Sequence, residues 1–238
     1  VRYPAEEMYA ILCLESHRSR SVLVGENLGT VPACVNSAMR RHAVRRTYVV
    51  QYELNPNRDR ALKTPERQAV ASTNTHDMPP FAAYWQGADL DDLHALGLFD
   101  DKAIGAEHAK RLAVREALVD RLRSKGDLPG DGTCVENVRD AVARWLAASP
   151  AECVVLNLED LWLETLRQNT PGTTTQRPNW RRKLRHSLET WDALPGLREL
   201  LAAVDRLRRG LPDVPVGAFC PPGVRVAIDP TLRGEKSQ

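Results

Sequence analysis

Four short apolar runs, 21–24, 46–54, 69–73 and 151–158, alternate with stretches of helical spacing, and no other feature limits the possible folds as much. Runs of this length bounded by turn residues read as strands, and strands separated by helices read as a parallel sheet of the α/β class. A helix over 5–18 follows Pro4, with acidic residues in its first turn where the helix dipole favours them. Ser21 to Val24 reads as a buried strand stopping at Gly25-Glu26-Asn27. A second helix is predicted over 32–43 and a strand rich in β-branched and aromatic residues over Arg46 to Leu54. The strand from Ala69 to Thr73 runs into Asn74-Thr75-His76-Asp77.

Residues 78–150 are too long for an ordinary connection and are predicted mostly helical, near 105–125 and 135–148, as an insertion between two strands. The last strand, 151–158, ends at Glu159-Asp160, and a Thr/Pro/Asn/Gln-rich loop over 168–180 leads to a long helical stretch over 181–209. The tail over 210–238 is rich in Pro and Gly and is expected to be loosely ordered. Three of the four strands thus stop at an acidic or His-Asp cluster, and in parallel α/β sheets the carboxyl ends of strands are where sites are built.

Composition excludes more than it identifies. The 238 residues carry a net charge of +2, with 42% hydrophobic residues, which argues against wholesale disorder. Length alone is close to that of a whole (β/α)₈ barrel, roughly 250 residues. No apolar run reaches the roughly 20 residues that cross a bilayer, and no charged-then-apolar leader opens the sequence, so no membrane partner is expected and the location is read as cytoplasmic. Arg makes up 27 of the 33 basic residues but is spread along the chain, a weak footprint for nucleic acid, so no nucleic-acid partner is expected. The densest group, Arg181, Arg182, Lys183 and Arg185, reads first as a solvated helix face. Cys13, Cys34, Cys134, Cys153 and Cys220 are odd in number and far apart, which speaks against a disulfide framework or a zinc site and for buried thiols.

At the end of a buried strand, Glu26 would sit partly desolvated at a cleft rim, which suits a general acid and base. His76 and Asp77 form a second polar cluster, and two ligands beside Pro79-Pro80 are too few for a metal. No G-x-S-x-G, G-x-G-x-x-G or P-loop pattern occurs, so no metal or cofactor is called for. Carboxylates on successive strands, with Tyr84, Trp85 and Trp180 as stacking platforms, match the needs of glycoside chemistry: an acid for the leaving oxygen and negative charge for an oxocarbenium-like transition state. A Trp is more often core than platform.

Four segments in order carry a resemblance: Gly25-Glu26-Asn27-Leu28-Gly29-Thr30-Val31-Pro32, Thr75-His76-Asp77, Tyr84-Trp85-Gln86-Gly87, and Asn169-Thr170-Pro171-Gly172-Thr173 with Asn179-Trp180-Arg181-Arg182-Lys183-Leu184. Together they resemble the 4-α-glucanotransferases (amylomaltases, disproportionating enzymes), particularly the bacterial maltodextrin-utilisation type. The resemblance covers 1–209 and implies the C-terminal half of a (β/α)₈ TIM barrel, strands five to eight, with the helical insertion 78–150 between strands seven and eight. It implies transfer of an α-1,4-glucan segment between a maltodextrin donor and acceptor by a retaining double displacement. Glu26 falls on the family's acid/base and Asp77 on its transition-state stabiliser. His76, Asn169, Pro171, Gly172, Asn179 and Trp180 fall on substrate-binding positions, and Arg181 to Lys183 become part of that signature.

Two departures stand out. Asn27 replaces the family's usual Asp, and the loss of that neighbouring charge is expected to move the acid limb of activity to lower pH. The nucleophile motif Arg-x-Asp-His is missing from these residues. The expectation is a fragment whose nucleophile lies upstream of Val1, inactive alone and open to self-association through uncovered strand edges. A non-catalytic glucan-binding or interaction module on the same fold is the alternative; hydrolysis of the α-amylase type shares the carboxylates.

Overall fold

The computed structural model describes residues 4–128 and 133–211. Helix α1 (Ala5–Ser19) starts behind Pro4 with Glu6 and Glu7 in its first turn, and Arg20 in the left-handed conformation (φ 51°) closes it. Strand β1 (Val24–Gly25) leads to α2 (Ala33–Arg41) and β2 (Arg45–Val49). Gly25 lets α2 pack close to β1: a Cβ there would lie 2.6 Å from Met39 Cε, so that side chain would have to shift. The chain then turns through α3 (Val50–Glu53) and a 3-10 turn at Arg58–Arg60 into β3 (Ala69–Ser72).

The helical segment predicted over 78–150 consists of α4 (Phe81–Gln86), α5 (Ala88–Ala95), α6 (Asp101–Ser124) and α7 (Val135–Ala148). Strand β4 (Cys153–Val155) and the single turn α8 (Leu158–Leu161) follow, then a 3-10 segment at Leu188–Ala193 and α9 (Leu197–Arg208).

All strand pairings are parallel and the order is β1-β2-β3-β4. Each strand lies beside its sequence neighbour with no reversal, the order of a barrel wall; a doubly wound sheet reverses direction at a switch point. The core sits where α4, α6 and α7 cover β2 and β3: Phe81, Leu118, Leu122, Val138, Val142 and Leu146 are fully buried against Tyr48, Ala69 and Ala71. A second cluster joins α7 to α9 through Ala143, Leu197 and Leu200. The helices expected as an insertion therefore supply most of the apolar cover of the sheet.

Four expectations are corrected. The run 21–24 is not buried: Val22 and Val24 are 63% and 48% exposed, because β1 has a strand neighbour on one side only among the described residues. The strand expected to reach Leu54 stops at Val49. Tertiary contacts override β-propensity there, as Gln51 N–H donates to Thr73 O (3.1 Å) and Gln51 Nε2 to Pro79 O (3.3 Å). Residues 181–209 are not one helix: Pro195 and Gly196 (φ 73°) break the chain before α9, and Arg182 and Arg185 reach inward to carboxylates. None of Cys13, Cys34, Cys134 and Cys153 is buried. Cys220 and the tail from residue 212 lie outside the described residues.

Candidate functional site

The loop after β3 carries Thr75, His76 and Asp77. A short polar turn sets its shape, with Asp77 N–H donating to Thr75 Oγ1 at 3.3 Å. The Asp77 side chain is then shared between two neighbours: Asn169 Nδ2 donates to Oδ1 at 2.5 Å, and His76 Nε2 lies 3.5 Å from Oδ2. Arg167 Nη2 holds the Asp77 carbonyl oxygen at 3.1 Å. Burial pushes the Arg167 guanidinium below the usual arginine range, an effect that the Asp89 and Asp77 charges oppose. His76 and Asp77 both remain open to solvent.

The loop 168–180 faces them. Its base is closed by Trp180 N–H donating to Gln168 O at 2.8 Å, and a turn at its tip runs Thr170-Pro171-Gly172-Thr173. Thr173 N–H donates to Thr170 O (3.2 Å) and Gly172 has φ 83°, so the Pro-Gly pair meets the demands of a type II turn. Asn179 braces the interior, accepting from Thr170 N–H at 2.9 Å and donating to Thr173 O at 3.2 Å. Trp180 takes a left-handed backbone conformation (φ 59°) and is 57% exposed, with its ring 5.8 Å from that of His76 and tilted by 42°. The two rings form an open apolar angle beside the Asp77 carboxylate.

Beneath the loop lies a polar layer in which sequence reasoning singled out Glu159 and missed Glu164. Glu164, 1% exposed, accepts from the Thr165 and Leu166 N–H groups and pairs with Arg182 and Arg185. Glu159 accepts from Gln168 Nε2 (3.0 Å) and pairs with Arg182, and Arg182 also donates to Leu166 O. Two members of the basic cluster expected on a solvated helix face, Arg182 and Arg185, thus tie the chain after the loop to buried carboxylates, while Arg181 and Lys183 are exposed. Arg177 near its tip pairs with Asp92 of α5.

Of the residues proposed from sequence, His76, Asp77, Asn169 and Trp180 come together. Pro171 and Gly172 form the exposed loop tip, and Asn179 works inside the loop as a brace. Glu26 stands apart at the end of β1, two strands from β3, a spacing of about 10 Å between strand axes. It is exposed, and the expected desolvation at a cleft rim is absent because nothing described covers that end of β1. Asn27 beside it is structural. Its Oδ1 accepts from Thr47 N–H and Oγ1 (both 3.0 Å), and its Nδ2 donates to Asn36 (3.0 Å), using donor and acceptor together as Asp could not.

The other aromatic candidates are not free platforms. Trp85 is 2% exposed and stacks on Phe81 in the core. Tyr84 carries the Arg111 guanidinium over its ring at 3.6 Å, with Arg111 locked to Asp89 at 2.9 and 3.0 Å. Among the described residues no group of three His, Cys, Asp or Glu converges for a metal, and no helix is long and apolar enough to cross a membrane.

The family model described as 4-alpha-glucanotransferase matches residues 1–189. The chain is 28% identical over 195 residues to the 4-alpha-glucanotransferase of Haemophilus influenzae, covering 79% of this chain and 28% of the relative. It is 33% identical over 189 residues to that of Mycobacterium bovis, covering 76% of this chain and 26% of the relative. Among solved structures, amylomaltase from Corynebacterium glutamicum superposes with TM-score 0.69 at 26% identity, over 87% of this chain and 31% of that one. Amylomaltase from Streptococcus agalactiae, solved with acarbose, superposes with TM-score 0.57 at 15% identity, over 88% of this chain and 36% of that one, a likeness of fold. The chain therefore spans less than a third of the curated relatives it matches. The parallel α/β sheet fits the TIM-barrel fold of these enzymes, and the chain belongs to the 4-alpha-glucanotransferase family.

Proposed function

We propose that this chain forms strands five to eight of a (β/α)₈ barrel and carries part of the site of a 4-α-glucanotransferase, which moves an α-1,4-glucan segment from a maltodextrin donor to a maltodextrin acceptor. Asp77 binds hydroxyls of the sugar at the cleavage point and supplies negative charge to an oxocarbenium-like transition state. Glu26 is the acid that protonates the leaving oxygen and the base that activates the acceptor hydroxyl in the second displacement. An exposed carboxylate suits this only when the glucan or the rest of a barrel covers it, so Glu26 acts within a larger assembly than the described residues provide.

The observation that carries the reading is the meeting of Asn169, Asp77, His76 and Trp180 from two loops far apart in sequence. A carboxylate held by an amide, beside an exposed indole, offers a sugar ring both hydroxyl acceptors and an apolar face. The 238 residues contain no Arg-x-Asp-His motif, so the chain alone is proposed to bind glucans without transferring them. That same observation favours the second reading, a glucan-binding module.

Titration calorimetry of the 238-residue chain with maltoheptaose tests the binding common to both readings; no heat at millimolar sugar would refute them. Incubation with maltotriose then tests inactivity, since glucose and longer maltodextrins appearing in the products would overturn it. Adding a separately expressed segment of a relative that carries the missing motif separates the readings. Transfer restored by the mixture, and lost with Glu26→Gln, marks an enzyme part; binding without transfer marks a module.

A further inference from the structure

One buried carboxylate holds both ends of the segment that carries His76 and Asp77. Asp160, on α8 and 4% exposed, accepts from Asn74 Nδ2 at 3.1 and 2.9 Å and from Phe81 N–H at 2.6 Å. Asn74 is the second residue after β3, and Phe81 is the first residue of α4. The loop between them is pinned at its entry and its exit by the same group. Of the third acidic strand end, Glu159 serves the loop 168–180 and Asp160 serves this one.

The amides around Asp160 are committed in one direction. Asn74 Oδ1 accepts from Asn157 Nδ2 at 2.9 Å, and Asn157 Oδ1 accepts from Glu159 N–H at 3.0 Å, capping α8. Asn74 can therefore turn only its donor towards Asp160, and turning it over would lose the bond from Asn157 as well. Arg139 of α7 spends Nη1 on the Asp160 carbonyl oxygen (2.9 Å), and Glu159 is the other charged neighbour.

We propose that Asp160 is a positioning residue for the His76–Asp77 loop, which it fixes in span and place by accepting from Asn74 and Phe81 at once. The proposal rests on the reading of His76 and Asp77 as glucan-binding groups. Burial supports it: desolvation pushes the Asp160 carboxyl up to about 7, a cost that packing alone would avoid with an amide or an apolar residue.

The test is an exchange of partners in the 238-residue chain. Asp160→Asn sets two amide donors against each other, Asn74→Asp sets two carboxylates against each other, and the double variant restores a complementary pair with the roles reversed. Two readouts are taken: hydrogen exchange at the Phe81 and Asp77 amides, and the dissociation constant for maltotriose. Each single variant is expected to speed exchange at Phe81 and weaken maltotriose by about tenfold, the scale of one buried polar group left without its partner, and the double to recover most of both. Folded single variants with unchanged exchange and affinity, or a double no better than the worse single, would overturn the proposal. If the single variants do not fold, recovery of folding in the double supports it and an unfolded double overturns it. If the parent chain binds no maltotriose, the functional reading falls, while the exchange pattern still decides the role of Asp160.

Discussion

Asn169 and Asp77, 92 residues apart, meet at 2.5 Å between amide nitrogen and carboxylate oxygen, so the loop after β4 orients the carboxylate at the end of β3. Asn169→Ala removes that donor and leaves Asp77 to His76 alone. A hydrogen bond to a charged group contributes about 1.5 kcal/mol or more, so maltooligosaccharide affinity should fall about tenfold without loss of fold. Calorimetry with maltoheptaose measures it; an affinity within twofold of the parent would mean that Asp77 needs no such support.

Trp180 and Trp85 should respond in opposite ways. Trp180→Ala takes away a largely exposed ring beside His76, and an aromatic contact of about 1 kcal/mol predicts roughly fivefold weaker sugar binding with little change in melting temperature. Trp85→Ala opens a hole in the core beside Phe81 and should cost about 3–5 kcal/mol of stability. Thermal melts and sugar titrations on both variants decide the matter. Sugar binding lost in folded Trp85→Ala and kept in Trp180→Ala would reverse the assignment.

What the sequence made legible was whatever local pattern controls. The helices at 5–18, 32–43 and 135–148 and the parallel alternation followed from spacing and turn residues, and the matched motifs named the residues that meet at Asp77. Two kinds of feature were hidden. Val50 to Glu53 has the β-branched and aromatic residues of a strand yet forms a helical turn, because the contacts of Gln51 with Thr73 and Pro79 lie far along the chain. Glu164 carries no sequence mark of burial, since its pairing with Arg182 and Arg185 and the bonds it accepts from the Thr165 and Leu166 N–H groups are what make a fully buried carboxylate tolerable. The Arg-Arg-Lys run was the available hint, as a dense basic cluster is as well suited to buried acids as to solvent.

The open face of α1 predicts association. Tyr9 stacks on His42 at 4.8 Å and Cys13 Sγ donates to His42 O, which fixes one side of the helix. Met8, Ile11 and Leu12 are about half exposed, Val22 and Val24 are uncovered, and among the described residues β1 has a strand neighbour on one side only. Exposed apolar side chains and an unpaired strand edge both favour self-association. Sedimentation velocity from about 1 to 100 µM should show mass rising with concentration, and Ile11→Lys with Met8→Lys should shift the chain towards monomer. A parent chain that is monomeric throughout would rule this out.

The buried Asp160 also predicts a pH dependence of stability with a defined sign. Its carboxyl is raised from 3.8 to about 7, mainly by burial, so between those values the folded chain holds a proton that the unfolded chain has released. Stability from this group is fully present below about pH 4 and is lost as pH rises through 7, with a slope of at most about 1.4 kcal/mol per pH unit. Other groups of the chain also change charge over this range, so the comparison must be with Asp160→Asn, which keeps them and cannot titrate at 160. Urea midpoints at pH 5 and pH 7.5 should converge or cross between the two proteins, the parent losing more on going to the higher pH. Parallel losses would mean that Asp160 is ionised at both values, in which case its hydrogen bonds from Asn74 and Phe81 outweigh its burial.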